Sequence, residues 1–192
     1  MDITTFLSYI CVTSFTPGPN NIISMTNGIN GGVKKALPYA LGVFVGTGIL
    51  LSLAAFFGSV IFNAIPSVAT YMKILGSAYI LYLAYVTLRD KPKKKKSFSL
   101  DTDRFSSAVL LQFINVKAYL YAITTMSTFI LPYYRGLSLA GFTLLLATVA
   151  LVSNLCWAAF GSVFDRFFKS HKKALNVIMA LLLVYCAIKL WR

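Results

Sequence analysis

Six apolar stretches, at residues 3–28, 36–63, 68–89, 106–131, 138–163 and 172–190, take up nearly all of this 192-residue chain. Each is 19 to 28 residues long, and about 20 suffice to cross a hydrocarbon core of roughly 30 Å. The expected fold is therefore all-α and integral to a membrane, with six transmembrane helices and no room for a soluble domain. Composition agrees: 12% of the residues are charged, where soluble domains carry about 25%. The first block has no basic leader and no small-residue cleavage site, so it does not read as a cleaved signal peptide.

The net charge of +13 could suggest a nucleic-acid partner, but its distribution suggests a membrane topology instead. Thirteen lysines and arginines fall in loops 1, 3 and 5, including Lys34, Lys35, the run Lys91–Lys96 and Arg166. Four fall on the other side: Lys73, Arg135, Lys189 and Arg192. The positive-inside rule then places loops 1, 3 and 5 in the cytoplasm and both termini outside. No aromatic-interleaved basic groove supports nucleic-acid binding. The Lys91–Lys96 run reads as a topology determinant and linker, with attraction to anionic lipid as its alternative role.

Loop 3 also divides the single transmembrane domain, 1–192, into two halves. Repeat 1 covers about 1–90, a basic cytoplasmic linker about 91–105, and repeat 2 about 106–192. Three helices on each side force the second half to enter the membrane from the opposite face, the inverted-repeat layout of secondary transporters. Polar interruptions fall at matching places in the two halves. One is Thr16-Pro17-Gly18-Pro19-Asn20-Asn21 in helix 1, and the other is Asn115-Val116-Lys117 in helix 4.

Pro17 and Pro19 lack an N–H, so carbonyls near residues 13 and 15 lose their helical donors. Lipid cannot replace those donors, so the break must be buried in protein or line a polar cavity. Asn20 and Asn21 can bond the freed carbonyls or a ligand. A plain proline kink would need neither the glycine nor the paired asparagines.

Lys117 lies about 11 residues into the fourth block, near the midplane. Its stem reaches roughly 6 Å and the interface is about 15 Å away, so it cannot snorkel fully out of lipid. A lysine at that depth costs about 2.5–3.5 kcal/mol on insertion scales and faces the bundle interior or a water-filled cavity. No Asp or Glu lies within a span; Glu is absent altogether. Two partners stay open for the ammonium: a substrate carboxylate, or the freed carbonyls and asparagine oxygens of the broken helix 1.

The other motifs are weaker. Gly42 and Gly46 form a GxxxG pair that signals close helix approach. Tyr79, Tyr82 and Tyr85 recur every three residues and either line a pathway or pack. Asn154 is a buried amide that serves a structural bond or a ligand. Cys11, Cys156 and Cys186 lie in separate spans, with neither disulfide nor metal-ligand spacing. No metal, cofactor or catalytic constellation is read from the chain, so it is not expected to be an enzyme.

Thr16–Asn21, the glycine-rich helix 2, Gly76–Tyr85 and Phe113-Ile114-Asn115-Val116-Lys117 resemble the LysE/RhtB family of amino-acid exporters over the whole chain. The resemblance implies six helices and efflux of amino acids or close derivatives from the cytoplasm, driven by the proton-motive force. The setting it implies is the bacterial plasma (inner) membrane, with the protein crossing it several times. Where that family has Asn-Pro-Lys in helix 4, this chain has Val116 in the middle, which makes a milder break and allows helix 4 to stay continuous. Leu111–Lys117, Ser127–Pro132, Asn154–Trp157 and Leu175–Cys186 are similar to the cysteine/O-acetylserine efflux branch, which implies that cargo. Exporters of lysine or arginine would be expected to offer a buried carboxylate, and this chain has none.

The expected function is export of a small neutral amino acid by alternating access between helices 1 and 4. Substrate contacts are assigned to Thr16, Pro17, Gly18, Pro19, Asn20, Asn21, Asn115 and Lys117, with Tyr79, Tyr82 and Asn154 along the pathway. The partners are the amino acid and membrane lipid, and a homo-oligomer is compatible with the sequence. The rival readings are another neutral cargo (homoserine, threonine or leucine) and a membrane scaffold subunit that transports nothing.

Overall fold

The computed structural model describes residues 2–89, 104–164 and 172–189. The basic run Lys91–Lys96 and His171 lie outside the described residues, as do the side chains of Tyr79 and Cys186. All regular structure among the described residues is helical.

Helix α1, Ile3–Phe15, starts at Asp2, whose carboxylate accepts from the Thr4 N–H at 3.0 Å and from the Thr5 N–H at 3.4 Å. It ends where proline requires. Thr16 precedes Pro17 and adopts φ −61°, ψ 135°, the extended conformation that a following proline ring enforces. Helix α2, Pro19–Arg89, begins on Pro19, a first-turn position at which the missing N–H leaves no bond unmade. The first apolar block is thus interrupted at Thr16–Gly18, between α1 and α2.

Inside α2, Gly31 and Gly32 leave helical geometry, at the turn expected between the first two blocks. Gly32 has φ 75° and ψ 178°, a region open essentially to glycine alone. The separation expected between blocks 36–63 and 68–89 falls within the residues assigned to α2. Yet Ala84 shares a core cluster with Tyr39 and Val43. A straight helix would put residues 43 and 84 about 60 Å apart, so α2 is not one straight rod.

The fourth block, left open between a mild break and a continuous helix, is broken. It forms α3, Phe105–Gln112, and α4, Val116–Thr124, which continues into a π-helical turn, Thr125–Ile130. The two parts are bent by 64°. Proline is not needed because Asn115 starts a new helix: it leaves helical geometry at φ −84°, ψ 98°, and its Oδ1 accepts from the Lys117 N–H at 3.1 Å. That is an N-cap. The wide turn after α4 carries hydroxyls that bond back to the backbone, Thr125 to the Tyr121 carbonyl and Ser127 to that of Ile123.

Helices α5, Leu137–Val163, and α6, Lys172–Lys189, complete the order. Two described segments, Pro19–Phe57 and Leu137–Val163, are long and apolar enough to cross a membrane, and the bent α3–α4 pair makes a third if counted as one broken span. The outer face of α2 exposes Leu41, Val45, Ile49 and Leu53, an apolar stripe at four-residue spacing that suits lipid rather than water. One buried cluster joins the start of α2 to α3 and α6, and a second joins α1 and the middle of α2 to α4 and α5.

Candidate functional site

The two breaks meet. Between the clusters lies a cavity of about 50 Å³ lined by Gly18, Pro19, Asn20 and Asn21 from the first break, Gln112, Asn115 and Lys117 from the second, and Thr47, Tyr121 and Asn154 among others. Six of the eight residues assigned to the substrate thus border one space. Thr16 joins them through its carbonyl, while Pro17 is exposed. Of the pathway residues, Asn154 is at the cavity and Tyr82 is an exposed residue of α2.

The first break is held by side chains that replace the lost helical donors. The Asn21 amide donates to the Ser14 and Thr16 carbonyls, both at 2.9 Å. Ser153 of α5 donates to the same Ser14 carbonyl at 2.7 Å. Tyr39 donates to Asn20 Oδ1 at 3.1 Å. The bonded carbonyls are one residue on from positions 13 and 15, because the chain leaves the helix after Phe15. Asn154 accepts from Ser24 at 2.7 Å and donates to the Ala150 carbonyl at 2.9 Å, which ties α2 to α5.

Lys117 is not at the middle of a helix but is the second residue of α4. Its Nζ donates to the Thr16 carbonyl at 2.6 Å. Its stem lies over Gly18, where an added Cβ would sit 3.1 Å from Lys117 Cδ and 3.2 Å from Nζ. Of the two partners open from sequence, a freed carbonyl of helix 1 occupies the ammonium here. The positive ends of two helix dipoles, α2 and α4, converge on the same place. No acidic side chain lines the cavity, so the local potential is strongly positive and suits an anion.

Gln112 was not singled out from the sequence. It is 0% exposed, it lines the cavity, and neither its Oε1 nor its Nε2 has a hydrogen-bond partner. Leaving such a group unsatisfied costs about 1–3 kcal/mol. It reaches this position because α3 packs directly on the GxxxG pair of α2. A Cβ on Gly42 would come 2.3 Å from the Phe105 carbonyl oxygen, and one on Gly46 would come 2.6 Å from Gln112 Cγ. The signal available in the sequence was that Gln112 is the chain's single glutamine, inside an apolar block.

Among the described residues no group of three or more His, Cys, Asp or Glu is placed to hold a metal ion.

The model of the LysE type translocator family matches residues 11–192. Proteins named cysteine/O-acetylserine efflux protein from Escherichia coli (strain K12) and Shigella sonnei (strain Ss046) are each 34% identical over 187 residues, covering 97% of this chain and 95% of theirs. No solved structure matches the chain. A match of this extent, on a chain whose two broken helices close around a positive cavity, places the protein: it belongs to the LysE type translocator family, as a multi-pass amino-acid efflux transporter of the bacterial inner membrane and not an enzyme.

Proposed function

We propose that this transporter exports small neutral amino acids, with cysteine and O-acetylserine as its cargo, by alternating access around the cavity between the two breaks. The observation that carries this reading is the bond from Lys117 to the Thr16 carbonyl in a cavity without acids. A substrate carboxylate is the better partner for the ammonium, since two opposite full charges attract more strongly than a charge and a carbonyl dipole. When the carboxylate takes Lys117, the Thr16 carbonyl is released and becomes available to the substrate ammonium. The exchange leaves no buried group unpaired. The first-turn N–H groups of α2, ahead of the bond from Ile22 N to the Gly18 carbonyl, add donors for the carboxylate.

The cargo assignment is supported by the names of the relatives and by the lack of a carboxylate that would hold a second positive charge. In the membrane, the reading uses six helices as two inverted repeats, about 1–90 and 106–192, with both termini outside. Export draws on the proton-motive force, and Lys117 is the titratable group placed to exchange a proton for substrate.

Counterflow into proteoliposomes tests this. Labelled cysteine and O-acetylserine should accumulate, threonine less, and lysine not at all. Lysine uptake equal to that of cysteine would overturn the cargo assignment. Efflux that ignores an imposed pH gradient would remove proton coupling.

A further inference from the structure

The cavity holds one group that the binding of a zwitterion's charged ends does not use. Lys117 and the first-turn amides of α2 serve a carboxylate, and the Thr16 carbonyl serves an ammonium. Gln112 is neutral, fully buried, and unpartnered at both its oxygen and its nitrogen. An amide offers donors and an acceptor together, which suits a neutral polar group and is a poor match for either charge of the backbone of an amino acid.

From this we infer that Gln112 reads the cargo's side chain. It selects amino acids whose short side chain carries a hydrogen-bonding group, such as a hydroxyl, thiol or ester, against apolar side chains of the same size. The inference rests on the amino-acid export reading and adds a specificity determinant to it. Burial is what gives the amide this power. A site that desolvates a polar group for its ligand rejects an analogue that cannot bond it far more strongly than a hydrophobic pocket rejects a missing methylene. The position is set by α2: with glycine at 46 the Gln112 stem lies against the helix backbone, and a Cβ there would come 2.6 Å from its Cγ and 3.2 Å from the Val109 Cα. Gly46 thus holds the amide at the cavity.

The test compares counterflow of labelled serine and of 2-aminobutyrate, which replaces the hydroxyl by a methyl, in proteoliposomes containing the full chain. The wild-type protein should favour serine by about tenfold or more. In Gln112→Met, which keeps the side-chain length and removes the amide, that ratio should fall toward one. Gly46→Ala, which displaces the Gln112 stem, should lower the ratio in the same direction, and it decides the matter if Gln112→Met does not assemble. An unchanged ratio in the variants overturns the role of Gln112 while leaving amino-acid export standing. Failure of the wild-type protein to take up any amino acid would instead overturn the export reading, and this inference with it.

Discussion

Lys117 and Thr16 are 101 positions apart in the sequence, and the ammonium of one donates to the main-chain carbonyl of the other at 2.6 Å. The bond joins the second residue of one helix to the residue at which another helix stops. Neither partner could have it in an unbroken helix, because a helical Thr16 carbonyl would be bonded within its own ladder. The two breaks therefore complete each other.

Lys117→Met should abolish transport and leave the protein in the membrane. Lys117 is half-buried, and losing a hydrogen bond to a charged group costs about 1.5–3 kcal/mol, roughly tenfold or more in affinity. Cysteine counterflow by purified variant in proteoliposomes measures it. Uptake at the wild-type rate would sink the assignment of Lys117 to the carboxylate.

Asn21→Leu should destabilise the protein rather than alter its selectivity. The Asn21 amide is shared between the Ser14 and Thr16 carbonyls. Each keeps another donor, Ser153 and Lys117 respectively, so the cost is about 1–3 kcal/mol rather than the loss of the fold. A lowered thermal unfolding midpoint in detergent is the expected result.

Two glycines should respond oppositely to alanine. A Cβ on Gly28 would sit 2.0 Å from the Ala158 carbonyl oxygen, whereas one on Gly141 meets nothing within 4 Å. Gly28→Ala must push α2 and α5 apart and should cost about 3 kcal/mol or more. Gly141→Ala, within α5, should gain about 0.5–1 kcal/mol from helix propensity. Unfolding midpoints of the two variants, measured side by side, check the contrast.

Asp2 gives a pH dependence of defined sign. The Thr5 hydroxyl, with the Thr5 and Thr4 N–H groups, holds its carboxyl below the ordinary value of 3.8. A carboxylate with a lowered folded value stabilises the protein above the unfolded value and loses that contribution as pH falls through the folded one. Asp2→Ala should therefore be less stable than the wild type at neutral pH. The gap in unfolding midpoint should close as the medium is taken below 3.8, and a gap that widens on acidification would contradict the cap.

How much of this the sequence disclosed depends on whether the cause was local. Thr16–Pro17 and Pro19 dictate a helix end and a helix start through ring sterics and a missing N–H, so the first break was readable. The second break is less legible, because Val116, where a proline would force a break, leaves a continuous helix open. Asn115 decides it, by capping α4 with its own side chain. The π turn at Thr125–Ile130 is not legible in the sequence, since it depends on what packs outside the segment. Gln112 was hidden for a different reason. An amide in an apolar run looks the same whether or not the fold supplies its partners, and only the three-dimensional arrangement shows that it has none.

At Gly42 and Gly46 the Phe105 carbonyl oxygen, the Ala108 methyl and the Gln112 stem of α3 lie where side chains of α2 would otherwise stand. At those two positions α2 projects no knob that α3 would have to climb over when the helices move along one another. Pulling them apart, by contrast, forfeits the entire close contact at once. Such a joint favours shear over hinging. A working stroke of this protein would then be expected to translate α3 along α2, carrying Gln112 with it by a fraction of a helical turn, so that access to the cavity and the reading of its contents change in a single movement.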